Sequence, residues 1–321
     1  MHPVIKRLAM TIPLLLVISS CAFVLIRLAP GGPFDRERAP ASPEIERALR
    51  ARYHLDEPLW SQYLRYVGLL WERDAEGRWR WAAGGLLKGD FGPSLKYRNH
   101  TVNDLMAQAL PVSLTLGGIA FGLALGMGIP WGVWTATRRH RWSGFWGGFV
   151  ALGLICVPAL VLGPLLILVF ALKLRWLPVA LWESPAHAVL PTVALGLFFA
   201  GRVARLMHEG MLEALQAEFM VTARAKGLSE ARILIRHALP LAIRPVLSYG
   251  GPLLADLLTG SFVVENLFQI PGIGVFMVNS TLSRDYPMVL GLVLLYAVIL
   301  IGLNLLVDLL YRWLDPRLRH G

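Results

Sequence analysis

Long apolar stretches alternate with polar connections along the 321 residues: 8–29, 105–137, 142–172, 186–201, 245–264 and 286–307. Arg27 and Asp256 are the charges that interrupt the first and fifth, while the second and third carry none. A helix needs about 20 apolar residues to cross a bilayer, and strands that long are rare. The pattern therefore predicts an all-α integral membrane protein with six transmembrane helices and both termini on one side. Composition agrees, since 55% of residues are hydrophobic and 16% charged, against about 25% charged in soluble domains.

The net charge of +10 is distributed unevenly. Lys6 and Arg7 precede the first stretch, Arg138, Arg139 and Arg141 follow the second, and Arg312, Arg317 and Arg319 lie after the last. The connection after the fourth carries Arg202, Arg205, Arg224, Lys226, Arg232, Arg236 and Arg244, whereas the alternate short connections hold only Lys173 and Arg175, or Arg284. Short basic loops stay in the cytoplasm. Both termini are accordingly expected inside, with topology rather than nucleic-acid binding as the source of the basic balance. Lys6-Arg7 before an apolar run resembles a signal peptide, and 18–21 a lipoprotein processing site. Because the run continues past Cys21, an uncleaved first helix is the expectation. Cys21 and Cys156 fall in apolar runs and are expected to be buried.

Residues 30–104 form the long external connection, a soluble segment between helices 1 and 2. Residues 43–49 suggest one short helix and 55–70 another, with Trp60, Tyr63, Leu64 and Val67 on its apolar face; 73–83 has no period and reads as a loop. Composition changes near Asp104. The chain thus divides into 1–104, the first helix with the external segment; 105–312, a transmembrane core; and 313–321, a tail.

One cytoplasmic connection, 208–244, carries more order than a loop needs. Leu212, Leu215, Phe219, Ala223 and Lys226 recur at helical spacing, and Gly227 is placed to end that helix in the left-handed conformation. Ser229 then serves as an N-cap with Glu230 in the first turn. Leu228 and Ile233 form a hydrophobic staple, and Pro240 closes the element.

Chemistry-bearing motifs are scarce. No G-x-x-x-x-G-K-[ST] phosphate loop or G-x-S-x-G elbow occurs, and the eight histidines are scattered without ligand spacing. No catalytic residue and no metal site is expected, and Ser113 or Ser261 would need a base brought to them by the fold. Ionisable groups within spans are costly and mark functional positions. Asp256 either faces a watery path or pairs with a neighbouring helix. Arg27, Glu265 and Asp308 lie near span ends, where side chains reach water. The clusters Gly117-Gly118, Gly122, Gly126, Gly128 and Gly250-Gly251 favour close helix packing.

Residues 213–240 resemble the EAA loop by which membrane subunits of ABC importers dock on their ATPases. Ala223, Gly227, Leu239 and Pro240 match the general pattern, while Val221, Thr222 and His237 depart from it. The runs Thr222-Ala223-Arg224-Ala225-Lys226-Gly227 and His237-Ala238-Leu239 are similar to the form used by the peptide-importing branch. Flanking pieces resemble B-type peptide permeases in the same order: 27–31, Leu55-Asp56-Glu57-Pro58, Gly89-Asp90-Phe91-Gly92-Pro93-Ser94, Pro271-Gly272-Ile273-Gly274, Arg284-Asp285-Tyr286 and 307–311. The run 96–105 is most like the oligopeptide importers among them.

That resemblance implies a type I ABC importer transmembrane fold in the cell membrane and a non-catalytic permease for oligopeptides, with dipeptide, glutathione or nickel import as alternatives. It implies a second, C-type permease, two ATPase subunits that bind ATP and Mg, and an external substrate-binding protein. The chain itself would hold no cofactor. Phe219, Thr222, Ala223, Arg224, Ala225, Lys226, Gly227, His237, Leu239 and Pro240 would couple it to the ATPases. Asp256, Glu265, Pro271, Gly272 and Gly274 would belong to the path or an outer gate. A self-sufficient membrane enzyme or proton-coupled transporter built on Asp256, Glu265 or Asp308 is the rival from another class.

Overall fold

The computed structural model describes residues 3–28, 47, 50–51, 54–73, 79–81, 84–97 and 99–314. Among them five helices are long and apolar enough to cross a membrane, or six if one bent pair counts as a single span. Two compact units are formed, one from 1–111 with 275–299, the other from 112–274 with 300–321.

In the first unit, α1 (Pro3–Leu28) carries α2 (Leu59–Val67). Buried Phe23 meets the Tyr63 ring edge-on at 5.3 Å, and Ser20 Oγ lies 2.5 Å from Tyr63 OH. The face that α2 buries differs from the expected one. Ser61, Gln62 and Val67 turn inward, whereas Trp60 is 65% exposed. The reason is polar: Gln62 Nε2 donates to the carbonyls of Leu55 (3.1 Å) and Glu57 (2.6 Å), and Ser61 Oγ donates to Glu57 Oε2 at 2.6 Å. These bonds tie down the chain entering the helix. Gly68, at φ 88°, ends it with its N–H bonded to Leu64 and Arg65 carbonyls.

The expected loop 73–83 begins as a short hairpin, β1 (Trp71–Arg73) with β2 (Trp79–Trp81), pairing Trp71 with Trp81 and Arg73 with Trp79. Three residues per strand are too few to show a period, although tryptophan favours such pairing. The expected helix at 43–49 lies outside the described residues except for Arg47.

Two side chains hold the segment around Gly89 to Lys96. Asn103, in the first turn of α3 (Val102–Thr137), accepts from the Phe91 N–H at 3.0 Å and donates to the Gly89 carbonyl at 2.6 Å. Buried Asp285 accepts from Ser94 Oγ, from the N–H groups of Leu95 (3.1 Å) and Lys96 (3.2 Å), and from Met288 N–H (3.3 Å). It thereby caps α11 (Tyr286–Leu314), the last helix.

In the second unit, the expected single span 142–172 is two helices, α4 (Trp142–Cys156) and α5 (Ala159–Leu166, continued by a π-helical Ile167–Lys173), bent by 100°. Pro158 lacks the N–H that a continuous helix requires, and Val157 before it is forced to extended geometry, φ −92° and ψ 109°. The most enclosed element is α6 (Pro185–Gln216), which runs well past the apolar stretch 186–201 because Val203, Met207, Met211 and Ala214 continue its buried face. A Cβ on Gly128 would lie 2.8 Å from the Ala200 carbonyl oxygen, and one on Gly132 2.5 Å from that of Ala204. These glycines let backbones approach closely. Gly118, Gly122, Gly126 and Gly250, expected to serve the same end, face open space. Cys21 and Cys156 are exposed on their apolar helices rather than buried.

Candidate functional site

Between α6 and α9 (Arg244–Leu267) the chain folds into a compact elbow. The helical spacing read across 212–226 is interrupted at Ala217, whose extended backbone (φ −66°, ψ 142°) separates α6 from α7 (Glu218–Ala225). Gly227 then adopts φ 75°, as expected, with its N–H on the Arg224 carbonyl at 2.9 Å and Leu228 N–H on that of Ala223 at 3.3 Å. This double closure satisfies the last carbonyls of α7. Across the turn, Arg224 Nε donates to Glu230 Oε1 at 2.9 Å, a bond that raises the guanidinium's affinity for its proton.

The second arm, α8, is composite: Glu230–Ile233, a π-helical Leu234–Ala238, and Leu239–Ala242. Ser229 has the extended backbone of an N-cap and accepts Ile233 N–H through its carbonyl, but its side chain makes no capping bond. Pro240 does not close the element. It lies within α8, in the first turn of Leu239–Ala242 directly after the π-helical stretch.

The inner face of the elbow belongs to the core of the spans. Met220, Ile233 and Ala238 are fully buried, Ala223 and Ala242 nearly so, in one cluster with Met207, Met211, Val246, Leu253 and Leu257. The outer face presents Phe219 (44% exposed), Val221 (66%) and Ile235 (67%) among Arg224, Lys226, Arg232 and Arg236. Of the ten expected coupling residues, Phe219, Thr222, Arg224, Ala225, Lys226, Gly227 and Pro240 are outward, His237 and Leu239 half-buried, and Ala223 inward. The anchor beneath α7 is Met220, which the helical spacing through Phe219 and Ala223 did not include. The break at Ala217 rotates the face.

Asp256, Glu265, Pro271, Gly272 and Gly274 do not share one site. Glu265 is fully buried, contrary to its expected role as an interfacial anchor; its Oε2 accepts the Gly274 N–H at 2.7 Å. Ser113 Oγ accepts the Ile273 N–H at 2.8 Å, so this hydroxyl braces a turn. Gly272 and Gly274 are absent from the left-handed residues; glycine is required by space. A Cβ on Gly272 would sit 2.3 Å from Glu265 Oε2, and one on Gly274 2.5 Å from the Phe262 Cα. Within the turn, Pro271 is exposed while Gly272 and Gly274 are buried. Asp256 lies on the exposed side of α9, 3.6 Å from Arg202 of α6. The side chain of Asp308 lies outside the described residues. Among the described residues no cluster of three His, Cys, Asp or Glu side chains is placed to hold a metal.

Gly210, unremarked in the sequence, joins elbow to span: a Cβ there would lie 2.4 Å from the Ala242 carbonyl oxygen. Gly210→Val is expected to push α8 from α6 and lower the melting temperature of the purified protein, at the roughly 1–3 kcal/mol cost of overpacking. Gly250→Val, at an open position of α9, should leave it within about 1 °C, an effect of surface-substitution size.

The elbow thus presents an exposed surface between two helices long and apolar enough to cross a membrane. Residues 128–320 match the family of the binding-protein-dependent transport system inner membrane component. The chain is 41% identical over 320 residues to the oligopeptide transport system permease protein OppB of Haemophilus influenzae, covering 99% of both chains. It is 42% identical to OppB of Salmonella typhimurium with the same coverage, and 40% identical to the dipeptide transport system permease protein DppB of Bacillus subtilis, covering 98% of this chain and 97% of that one. In fold it is similar to the inward-facing MetNI methionine ABC transporter, with TM-score 0.55 and 17% identity over 66% of this chain and 96% of that chain. An amino acid ABC transporter matches with TM-score 0.51 and 18% identity over 65% and 94%. The chain belongs to the binding-protein-dependent inner-membrane permease family, and it is a multi-pass inner-membrane protein.

Proposed function

We propose that the chain is the permease subunit of an ATP-driven peptide importer, with oligopeptides as cargo. The observation that carries this reading is likeness across essentially the whole chain, 41–42% over 99% of both partners, to oligopeptide permeases. A dipeptide importer is the second reading, favoured by the 40% identity to the Bacillus subtilis dipeptide permease. The chain spans the membrane six times with both termini cytoplasmic, the bent pair α4–α5 making one span and residues 30–104 lying outside. It pairs with a second, C-type permease and receives peptide from an external binding protein. Two ATPase subunits bind ATP and Mg and perform hydrolysis, so this chain needs neither cofactor nor catalytic residue.

In that assembly the elbow is the lever. Phe219, Val221 and Ile235 with the surrounding arginines present a mixed apolar and basic surface of the kind partner subunits cover. Met220, Ala223 and Ile233 lock the elbow into the core of the spans, so a push on its outer face is passed to α6 and α9 as a unit. Glu265 with Gly272 and Gly274 is a clasp behind an outer gate rather than the gate surface.

The test is uptake by the reconstituted complex of both permeases, ATPases and binding protein in proteoliposomes. ATP-dependent accumulation of a labelled pentapeptide, competed by other peptides and not by nickel or glutathione, is expected. Uptake by this chain alone, or competition by nickel or glutathione alone, refutes the reading. Stronger competition by dipeptides than by pentapeptides selects the second.

A further inference from the structure

Part of the exposed surface of α6 and α9 is polar where lipid would favour apolar side chains, although Val189, Leu247 and Val263 are exposed on the same helices. On α9 the apolar residues Val246, Leu253, Leu257 and Val264 are buried, while Ser248, Pro252 and Asp256, spaced four apart, are exposed. On α6, Arg202, Arg205 and Glu209 form a stripe at helical spacing along about 10 Å of axis. Arg205 Nε contacts Glu209 Oε1 at 3.0 Å. Arg202 Nη1 donates to Tyr249 OH at 3.1 Å and lies 3.6 Å from Asp256 Oδ2, with its guanidinium 4.7 Å from the Phe198 ring centre. The Arg202 and Asp256 side chains remain 40% and 49% exposed. Asp256, a half-exposed carboxylate inside the apolar stretch 245–264, is costly against lipid and therefore faces water or another protein, and Arg202 reaches it from just past the stretch 186–201.

We propose that this stripe is a substrate-contact lane in which Asp256 receives the ammonium groups of a passing peptide and Arg202 its carboxylates. The inference rests on the peptide-importer reading and goes further by naming the residues and the chemistry they select. At 3.6 Å the pair is longer than a charge-assisted hydrogen bond, which runs at about 2.7–2.9 Å, and both side chains are open enough for a ligand group to reach them. Tyr249 and the Phe198 ring hold the guanidinium in place while it does so. Arg205 and Glu209, a closer pair within α6, add exposed charges of both signs one to two turns nearer the elbow. Exposed charges of both signs suit a cargo that carries both and must leave again.

The experiment compares uptake of two pentapeptides, one with a central Lys and one with a central Glu, by the complete reconstituted complex. For Asp256→Asn the Lys-to-Glu uptake ratio, taken relative to the unaltered complex, is expected to fall about threefold, the effect of losing one half-exposed ionic contact. For Arg202→Gln it is expected to rise by about the same factor. Equal loss for both peptides means a structural ion pair and overturns the proposal, as does an unchanged ratio. If the unaltered complex imports neither peptide, the importer reading itself fails. Should the neutral variants not assemble, Asp256→Cys in a Cys21→Ser, Cys156→Ser background decides: labelling by a charged, membrane-impermeant thiol reagent that saturating peptide slows supports the lane. No labelling in the assembled complex places a neighbouring subunit over the pair and overturns it.

Discussion

Gly227→Pro is expected to abolish ATP-driven transport and stable association with the ATPase subunits while the protein still inserts and its spans still pack. Gly227 holds φ at 75° and gives its N–H to Arg224. Proline can do neither, since its ring fixes φ near −65° and removes the donor, at a cost of roughly 3 kcal/mol or more. That cost falls on the hinge joining the two arms of the elbow, where no span residue is involved. Gly227→Ala is the control. Space is open around the position, so alanine meets only the left-handed backbone penalty of about 1–2 kcal/mol, and partial coupling is expected to survive. Co-purification of the ATPases and peptide-stimulated ATP hydrolysis measure both. Normal coupling in the proline variant would sink the lever assignment.

Gly274→Ala is expected to destabilise the protein by forcing apart the turn that Glu265 holds. Its new Cβ would stand 2.5 Å from the Phe262 Cα and 2.9 Å from Glu265 Oε2. A backbone atom cannot rotate away, so the turn must shift, at about 1–3 kcal/mol or more. Glu265→Ala attacks the same clasp from the other side, leaving the buried Gly274 N–H unpaired at about 1–3 kcal/mol. Glu265→Gln keeps an acceptor and is expected to fall between wild type and Glu265→Ala. Thermal unfolding in detergent, followed by the loss of monodisperse protein, gives the order. Equal melting temperatures for all three variants would show that the clasp does not hold the turn.

Much of this was legible from one dimension. The left-handed turn at Gly227 followed from glycine at the end of a helical period, and the apolar runs anticipated the long helices. Three details escaped the sequence for tertiary reasons. Pro158 lay in view, yet an apolar run gives no hint whether a proline kinks a helix or bends the chain by 100°. Glu265 looked like an anchor because only distance from the span end is visible in sequence; the turn that buries it arrives nine residues later at Gly274. The helical spacing read across 212–226 ran through Ala217 because the break there carries no strong breaker residue.

By itself the sequence determined the membrane setting, the helical character and the position of the elbow, because length of apolar run, basic asymmetry and turn chemistry are local properties. The tertiary structure decided which side of each helix is inside. It brought Gly210 against Ala242, set Met220 rather than Phe219 into the core, and paired Arg202 with Asp256 across 54 residues of chain. Those are long-range contacts, chosen by packing and by the cost of leaving a charge or a buried N–H without a partner.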